Sequence, residues 1–163
     1  TDHSIFVAVE SKEDNNTHYV VWTTTPWTLP ANLAIMAHPK YTYVEIINNN
    51  QKYIVAKELA EKLIKEFNFE EYSFGKEYLG SDLKDKEYKP ILEGLINVPE
   101  ENKKNAYKII LSPRYVHLED GTGLVHCAPG HGKEDYEVGQ ENNITPYCPV
   151  RWMELMMKQL LDL

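Results

Sequence analysis

Apolar residues in this chain arrive in short runs that proline, glycine or asparagine cut off before a long helix can form. Residues 5–9 alternate Ile5, Val7 and Val9, the pattern of a half-buried strand. Residues 18–24 are rich in β-branched and aromatic side chains and predict a second strand. Pro26 and Pro30 end it and hold the next stretch in a loop. Leu33–Met36, Tyr41–Ile47 and Lys52–Val55 predict further strands, the last two joined by an Asn48-Asn49-Asn50 turn. Tyr107–Leu111, Tyr115–Leu118, Gly123–Cys127 and Thr145–Val150 read the same way, as does Tyr88–Leu92 within the polar stretch 68–104. Helical spacing is clearest over 56–67, where Leu59, Leu63 and Phe67 share a face. Lys133–Glu141 follows a glycine, has acids in its first turn, and predicts a short helix. About eight to ten short strands with two or three helices make an α+β fold, mostly β and barrel-like. Regular βαβ alternation and a glycine-rich phosphate loop are both missing, so a nucleotide-binding fold has no support.

The 163 residues suffice for one domain with a real core. No apolar run approaches the ~20 residues of a membrane-spanning helix. The start, Thr1-Asp2-His3-Ser4, has neither an initiator Met nor a signal-peptide pattern, so the chain reads as an excised domain or processed product. Two cysteines, Cys127 and Cys148, make no disulfide framework and fit a reducing, cytoplasmic setting. A formal charge of -8 argues against a general nucleic-acid binder but allows contact with one nucleic-acid terminus in a local pocket. The 11 tyrosines are scattered and read as packing, not as a base-stacking platform.

Chemistry concentrates in two segments. The first runs Trp22-Thr23-Thr24-Thr25-Pro26-Trp27-Thr28-Leu29-Pro30. Three adjacent hydroxyls can bind a ligand or a water, or simply satisfy backbone groups at a strand end. The rigid loop after them, bounded by two prolines, favours a site. The second runs from Asp120-Gly121-Thr122-Gly123 through His126-Cys127-Ala128-Pro129 to Glu134-Asp135. His126 has three readings: general base, steric wall, or satisfied core residue. Asp135 either complements a helix N-terminus or pairs with a substrate ammonium group. His126, His131 and Asp135 do not have a standard zinc spacing, and Cys127 alternates to the strand face opposite His126. A small buried thiol is the ordinary reading of Cys127.

With these residues in view, WTTTPWTLPANLAI (22–35) and GTGLVHCAPGHGKEDYEVGQ (121–140) together resemble the editing domain of isoleucyl-tRNA synthetases, connective peptide 1 (CP1) of the class I family. The resemblance spans roughly residues 1–150. Valyl and leucyl relatives share the threonine-rich and GTG elements, but they usually carry Arg-Pro where this chain has Thr25-Pro26, and Trp27 points to the isoleucyl branch. The HIGH-like and KMSKS-like signatures of amino-acid activation are missing, so the fragment is not expected to aminoacylate.

The resemblance implies hydrolysis of valine misattached to isoleucine tRNA, and of valyl-adenylate, with isoleucine excluded by size. It implies that Asp135 holds the substrate ammonium group and that His126 shapes the side-chain pocket. It also implies that Thr23, Thr24 and Thr25 line the site and place the water, with Trp27 and Asn32 at matching positions. No metal or cofactor is implied for editing; ATP and Mg belong to the missing catalytic core. The implied partners are the 3′ end of the aminoacylated tRNA and the rest of the synthetase, with no membrane. Two alternatives stay open: a valyl- or leucyl-type editing domain of the same fold, or an aminoacyl-adenosine binding module without turnover of its own. Residues 151–163 depart from the family pattern and are expected to be an atypical tail, as a shifted reading frame would leave.

Overall fold

The computed structural model describes residues 5–23, 29, 32–90, 105–118, 121–128 and 133–144. The fold is mostly β, a curled sheet with two short helices against it. Its strands are β1 (Ile5–Glu10), β2 (Thr17–Thr23), β3 (Ala34–Ala37), β4 (Thr42–Asn48), β5 (Gln51–Ala56), β6 (Ser73–Leu79), β7 (Lys108–Leu111) and β8 (Leu124–Cys127). They lie in the order β6-β4-β5-β2-β8-β3-β7, with β1 pairing β2 off that path. A 3-10 turn at Lys57–Leu59 leads into α1 (Ala60–Glu66), and α2 is Lys133–Glu141.

Local chemistry explains the punctuation. Asn49 and Asn50 both sit at positive φ, which asparagine tolerates well, and close the β4–β5 hairpin in two residues. Leu59 and Leu63 of the predicted helical face enter the core and Phe67 packs against it. The run Ala34-Ile35-Met36-Ala37 is apolar throughout because β3 is buried on both faces. Ile35 and Ala37 join the larger core cluster, whereas Ala34 and Met36 join a smaller one with Cys127, Ile110 and Val138 of α2.

β2 organises the sheet. β1 runs antiparallel along one edge, from Ile5↔Thr23 to Glu10↔His18. The other edge is shared: β5 pairs in parallel with its first residues, and β8 takes over in parallel at Trp22↔Val125. β8 is then antiparallel to β3, with Ile35↔His126 in register. This sandwiching of β8 between β2 and β3 brings the two motifs together.

One expected strand, Tyr115–Leu118, is not formed. Residues 113–115 form a turn, Pro113 has no N–H to give a ladder, and the backbone carbonyl of Val116 instead accepts from the Tyr41 hydroxyl at 3.4 Å. Alternating apolar residues here fill a loop that faces α2: Arg114 pairs with Glu141, and the Tyr115 hydroxyl donates to Glu137 at 2.7 Å. Tyr88, expected in a strand, makes only an isolated bridge to Ser11. The expected strand Thr145–Val150 and the tail 151–163 lie outside the described residues.

Candidate functional site

The site is built around the C-terminal end of β8. β2 and β8 point the same way, and one residue past the pair Trp22↔Val125 stand Thr23 and His126. On the other flank, Asn32 immediately precedes the start of β3, whose Ala34 pairs with Cys127. The threonine-rich segment thus leaves the sheet on one side of β8 and re-enters it on the other. Thr23 is buried at the end of β2. Thr24, Thr25 and Trp27, expected in the site, lie outside the described residues.

His126 is 5% exposed and Asn32 3% exposed. Their side chains meet directly, Asn32 Nδ2 to His126 Nδ1 at 2.6 Å. Asn32 Nδ2 also donates to the Ala34 carbonyl at 2.9 Å, and its Oδ1 accepts from the Tyr88 hydroxyl. Tyr88, 1% exposed, was not singled out by any motif; it is one of 11 tyrosines of the chain and lies in a polar stretch, and its partner is remote in sequence. Burial pushes its phenol well above the ordinary value, so at neutral pH it is a hydroxyl donor.

Asp135 sits in the first turn of α2 and reaches back to β8. Its Oδ2 accepts from the Ala128 N–H at 2.9 Å, and its backbone carbonyl accepts from Cys127 Sγ at 3.7 Å. Its position is therefore set by the end of the strand that carries His126. Cys127 packs among apolar side chains on the opposite face. Burial first, and the Asp135 charge second, push its thiol well above the ordinary value. A thiolate nucleophile is not available there. Among the described residues, no three His, Cys, Asp or Glu side chains gather as a metal would require. Among them also, no helix is long and apolar enough to cross a membrane.

The other end of β8 is structural. Gly121 and Gly123 have φ of 83° and 82°, which side-chain-bearing residues rarely adopt. A Cβ on Gly123 would stand 2.5 Å from the Ala56 Cβ. The Thr122 carbonyl accepts from the Ala56 N–H at 2.8 Å, and the Tyr43 hydroxyl donates to the Gly123 carbonyl at 2.6 Å.

No family model matches the chain. Its fold is shared with the crystal structure of GlLeuRS-CP1, at a TM-score of 0.67 and 17% identity, over 85% of this chain and 58% of that one. The P. knowlesi cytosolic leucyl-tRNA synthetase editing domain superposes at a TM-score of 0.60 and 12% identity, over 82% and 59%. The architecture is thus that of the CP1 editing domains of class I synthetases. Sequence narrows the class. The chain is 42% identical over 159 residues to the isoleucine–tRNA ligase of Methanocaldococcus jannaschii and 43% identical over 149 residues to that of Acholeplasma laidlawii, with 91% and 90% of the chain covered. It is homologous to a segment of isoleucine–tRNA ligases, and it spans about 15% of the length of these relatives.

Proposed function

We propose that the domain hydrolyses the ester of valine misattached to isoleucine tRNA, and valyl-adenylate as a second substrate, while excluding isoleucine by size. The observation that carries this reading is the contact between Asn32 and His126, which joins the two motifs at one strand end beside Thr23 and Asp135. Homology to isoleucine–tRNA ligases supplies the amino-acid class.

The chemical need is simple. Valine lacks one methylene of isoleucine, a difference worth only ~1–3 kcal/mol in a synthetic pocket. A second pocket that clashes with the larger side chain discriminates in the opposite sense. In this reading His126 forms its wall. A carboxylate has about four lone-pair positions, so Asp135 can hold the Ala128 N–H and still accept the substrate ammonium group. In this reading the hydroxyls of Thr23, Thr24 and Thr25 order the attacking water and meet the terminal adenosine, and Trp27 of the same motif takes part in substrate binding. Water adds to the ester carbonyl, the ribose oxygen leaves, and a proton passes from water to that oxygen, helped by the neighbouring ribose hydroxyl. Positioning and electrostatics supply the rate.

The tRNA 3′ end is the proposed partner, delivered in the cytoplasm by the rest of the synthetase, because a chain of charge -8 has little basic surface to hold tRNA itself. The deciding experiment compares initial deacylation rates on valyl- and isoleucyl-tRNA of the isoleucine type. Release of valine at least tenfold faster is expected, from the low end of what one methylene can discriminate. Equal rates would remove the sieve. Binding of a valyl-adenosine analogue without turnover would make the domain a binding module.

A further inference from the structure

We infer that Tyr88 is a positioning residue of this site: acting through Asn32, it holds the His126 ring in the tautomer that carries its proton on Nε2. The inference concerns the same site, and its consequence for selectivity rests on the editing reading above; the tautomer itself does not.

The argument is one of hydrogen-bond polarity. A carboxamide can be turned either way, but one partner of Asn32 fixes its orientation and a second ties down the oxygen. The Ala34 carbonyl can only accept, so the amide nitrogen faces it, at 2.9 Å. The Tyr88 hydroxyl then donates to Oδ1. In that orientation the second amide N–H meets His126 Nδ1 at 2.6 Å. An N–H needs a lone pair opposite it, so Nδ1 is unprotonated and the ring proton is on Nε2. Turning the amide would set Oδ1 against the Ala34 carbonyl, two acceptors with no proton between them, and would remove the oxygen to which the Tyr88 hydroxyl donates.

Tyr88 is well held for this role. Its N–H donates to the Tyr107 carbonyl at 3.0 Å. Its flanking residues are tied to the end of β1 and beyond, through Lys12 N–H to the Glu87 carbonyl and Lys89 N–H to the Glu10 carbonyl. Its ring packs edge-on against Tyr107 at 5.9 Å. Tyr88→Phe keeps that packing and deletes only the hydroxyl. A wall histidine with a fixed tautomer presents one defined ring edge to the side-chain pocket, which is what discrimination over a single methylene requires.

The test is nitrogen NMR of the histidine ring in the intact chain, with the His126 signal assigned by its loss in His126→Gln. The native protein is expected to show the pattern of Nε2 protonation. Tyr88→Phe is expected to move it toward a mixture of tautomers and to lower discrimination between valyl and isoleucyl esters by about tenfold, as loss of an orienting partner commonly does. Asn32→Asp, which presents an acceptor to Nδ1, is expected to move the proton to Nδ1 and stands as the second variant should Tyr88→Phe not fold. A native ring protonated on Nδ1, or an unchanged spectrum in a folded Tyr88→Phe protein, overturns the inference. If the ring behaves as stated but neither ester is hydrolysed, the positioning role stands and the editing reading fails.

Discussion

β8 is entered through Gly121-Thr122-Gly123 and left through His126 and Cys127, and the two ends are solved in different ways. At the entry, two glycines at positive φ make the turn, and carbonyls of Thr122 and Gly123 are taken up by Ala56 and Tyr43. Nothing about it needs a ligand; a close approach of backbone and side chains explains every residue. At the exit, Asn32, Tyr88 and His126 form a buried polar group, and Asp135 returns from α2 to the strand end. A satisfied buried polar network rigidifies the groups it joins, which is what a site at this strand end would need. A single continuous sequence motif therefore contains a structural half and, on the function proposed above, a chemical half. Substitutions at the entry are expected to lower stability, and those at the exit to lower activity.

The largest effect is expected from Gly123→Ala. The new Cβ must occupy a left-handed backbone position and meet the Ala56 Cβ at 2.5 Å, so a loss of about 3 kcal/mol is expected in denaturant unfolding. A loss below about 1 kcal/mol would show that the entry turn can relax and would weaken the division of β8 into two halves.

Asp135→Asn should do the reverse. The amide oxygen still accepts from the Ala128 N–H, so stability should change by no more than about 1 kcal/mol. Loss of the charge facing a substrate ammonium should lower kcat/KM for the valyl ester by about 10- to 100-fold. Unchanged kinetics in this variant would reduce Asp135 to a strand-end cap.

These two ends were unequally legible in the sequence. β1 to β5, β7, β8, both helices and the Asn49-Asn50 hairpin follow from alternation, spacing and turn chemistry, because each is decided within a few residues, whereas β6 lies in the polar stretch 68–104, where the sequence predicts no strand at Ser73–Leu79. α2 begins and ends where its glycine and acidic first turn place it, at Lys133–Glu141. The alternation over Tyr115–Leu118 predicts a strand where the chain forms a loop; what decides it is Pro113 and long-range pairing with Glu137 and Glu141. In the site, Asn32 and His126 stood in recognisable motifs, but their contact depends on β8 inserting between β2 and β3, which no local signal encodes. Tyr88 was invisible for the same reason: it lies outside both motifs and acts through a partner 56 residues away.

Tyr43→Phe tests the entry turn more gently. It removes the hydroxyl that accepts from the His38 N–H at 2.9 Å and donates to the Gly123 carbonyl, so about 1–2 kcal/mol should be lost. The pH dependence has a definite sign. Burial pushes the Tyr43 phenol up to about 12, above its unfolded value near 10, so the folded state holds this proton more tightly. Its contribution is fully present below pH ~10 and is lost as pH rises toward 12, with a slope of about 1.4 kcal/mol per pH unit for this proton. Unfolding free energies measured across that window should fall less steeply in the variant than in the native chain.

The smallest effect is expected from Arg114→Ala. Arg114 and Glu141 are both half-exposed, and pairs of that kind contribute about 0–1 kcal/mol. The pair joins the 113–118 loop to the last turn of α2, at the far end of the helix from Asp135. If the helix is held mainly by Val138 in the smaller core cluster and by the bond from Ala128 N–H to Asp135, the variant should unfold within about 0.5 kcal/mol of the native chain and hydrolyse the valyl ester unchanged. A fall in kcat/KM without a matching fall in stability would mean that the loop sets the position of α2, and through it the carboxylate of Asp135. The chemical half of β8 would then extend past the strand end to the loop that follows β7.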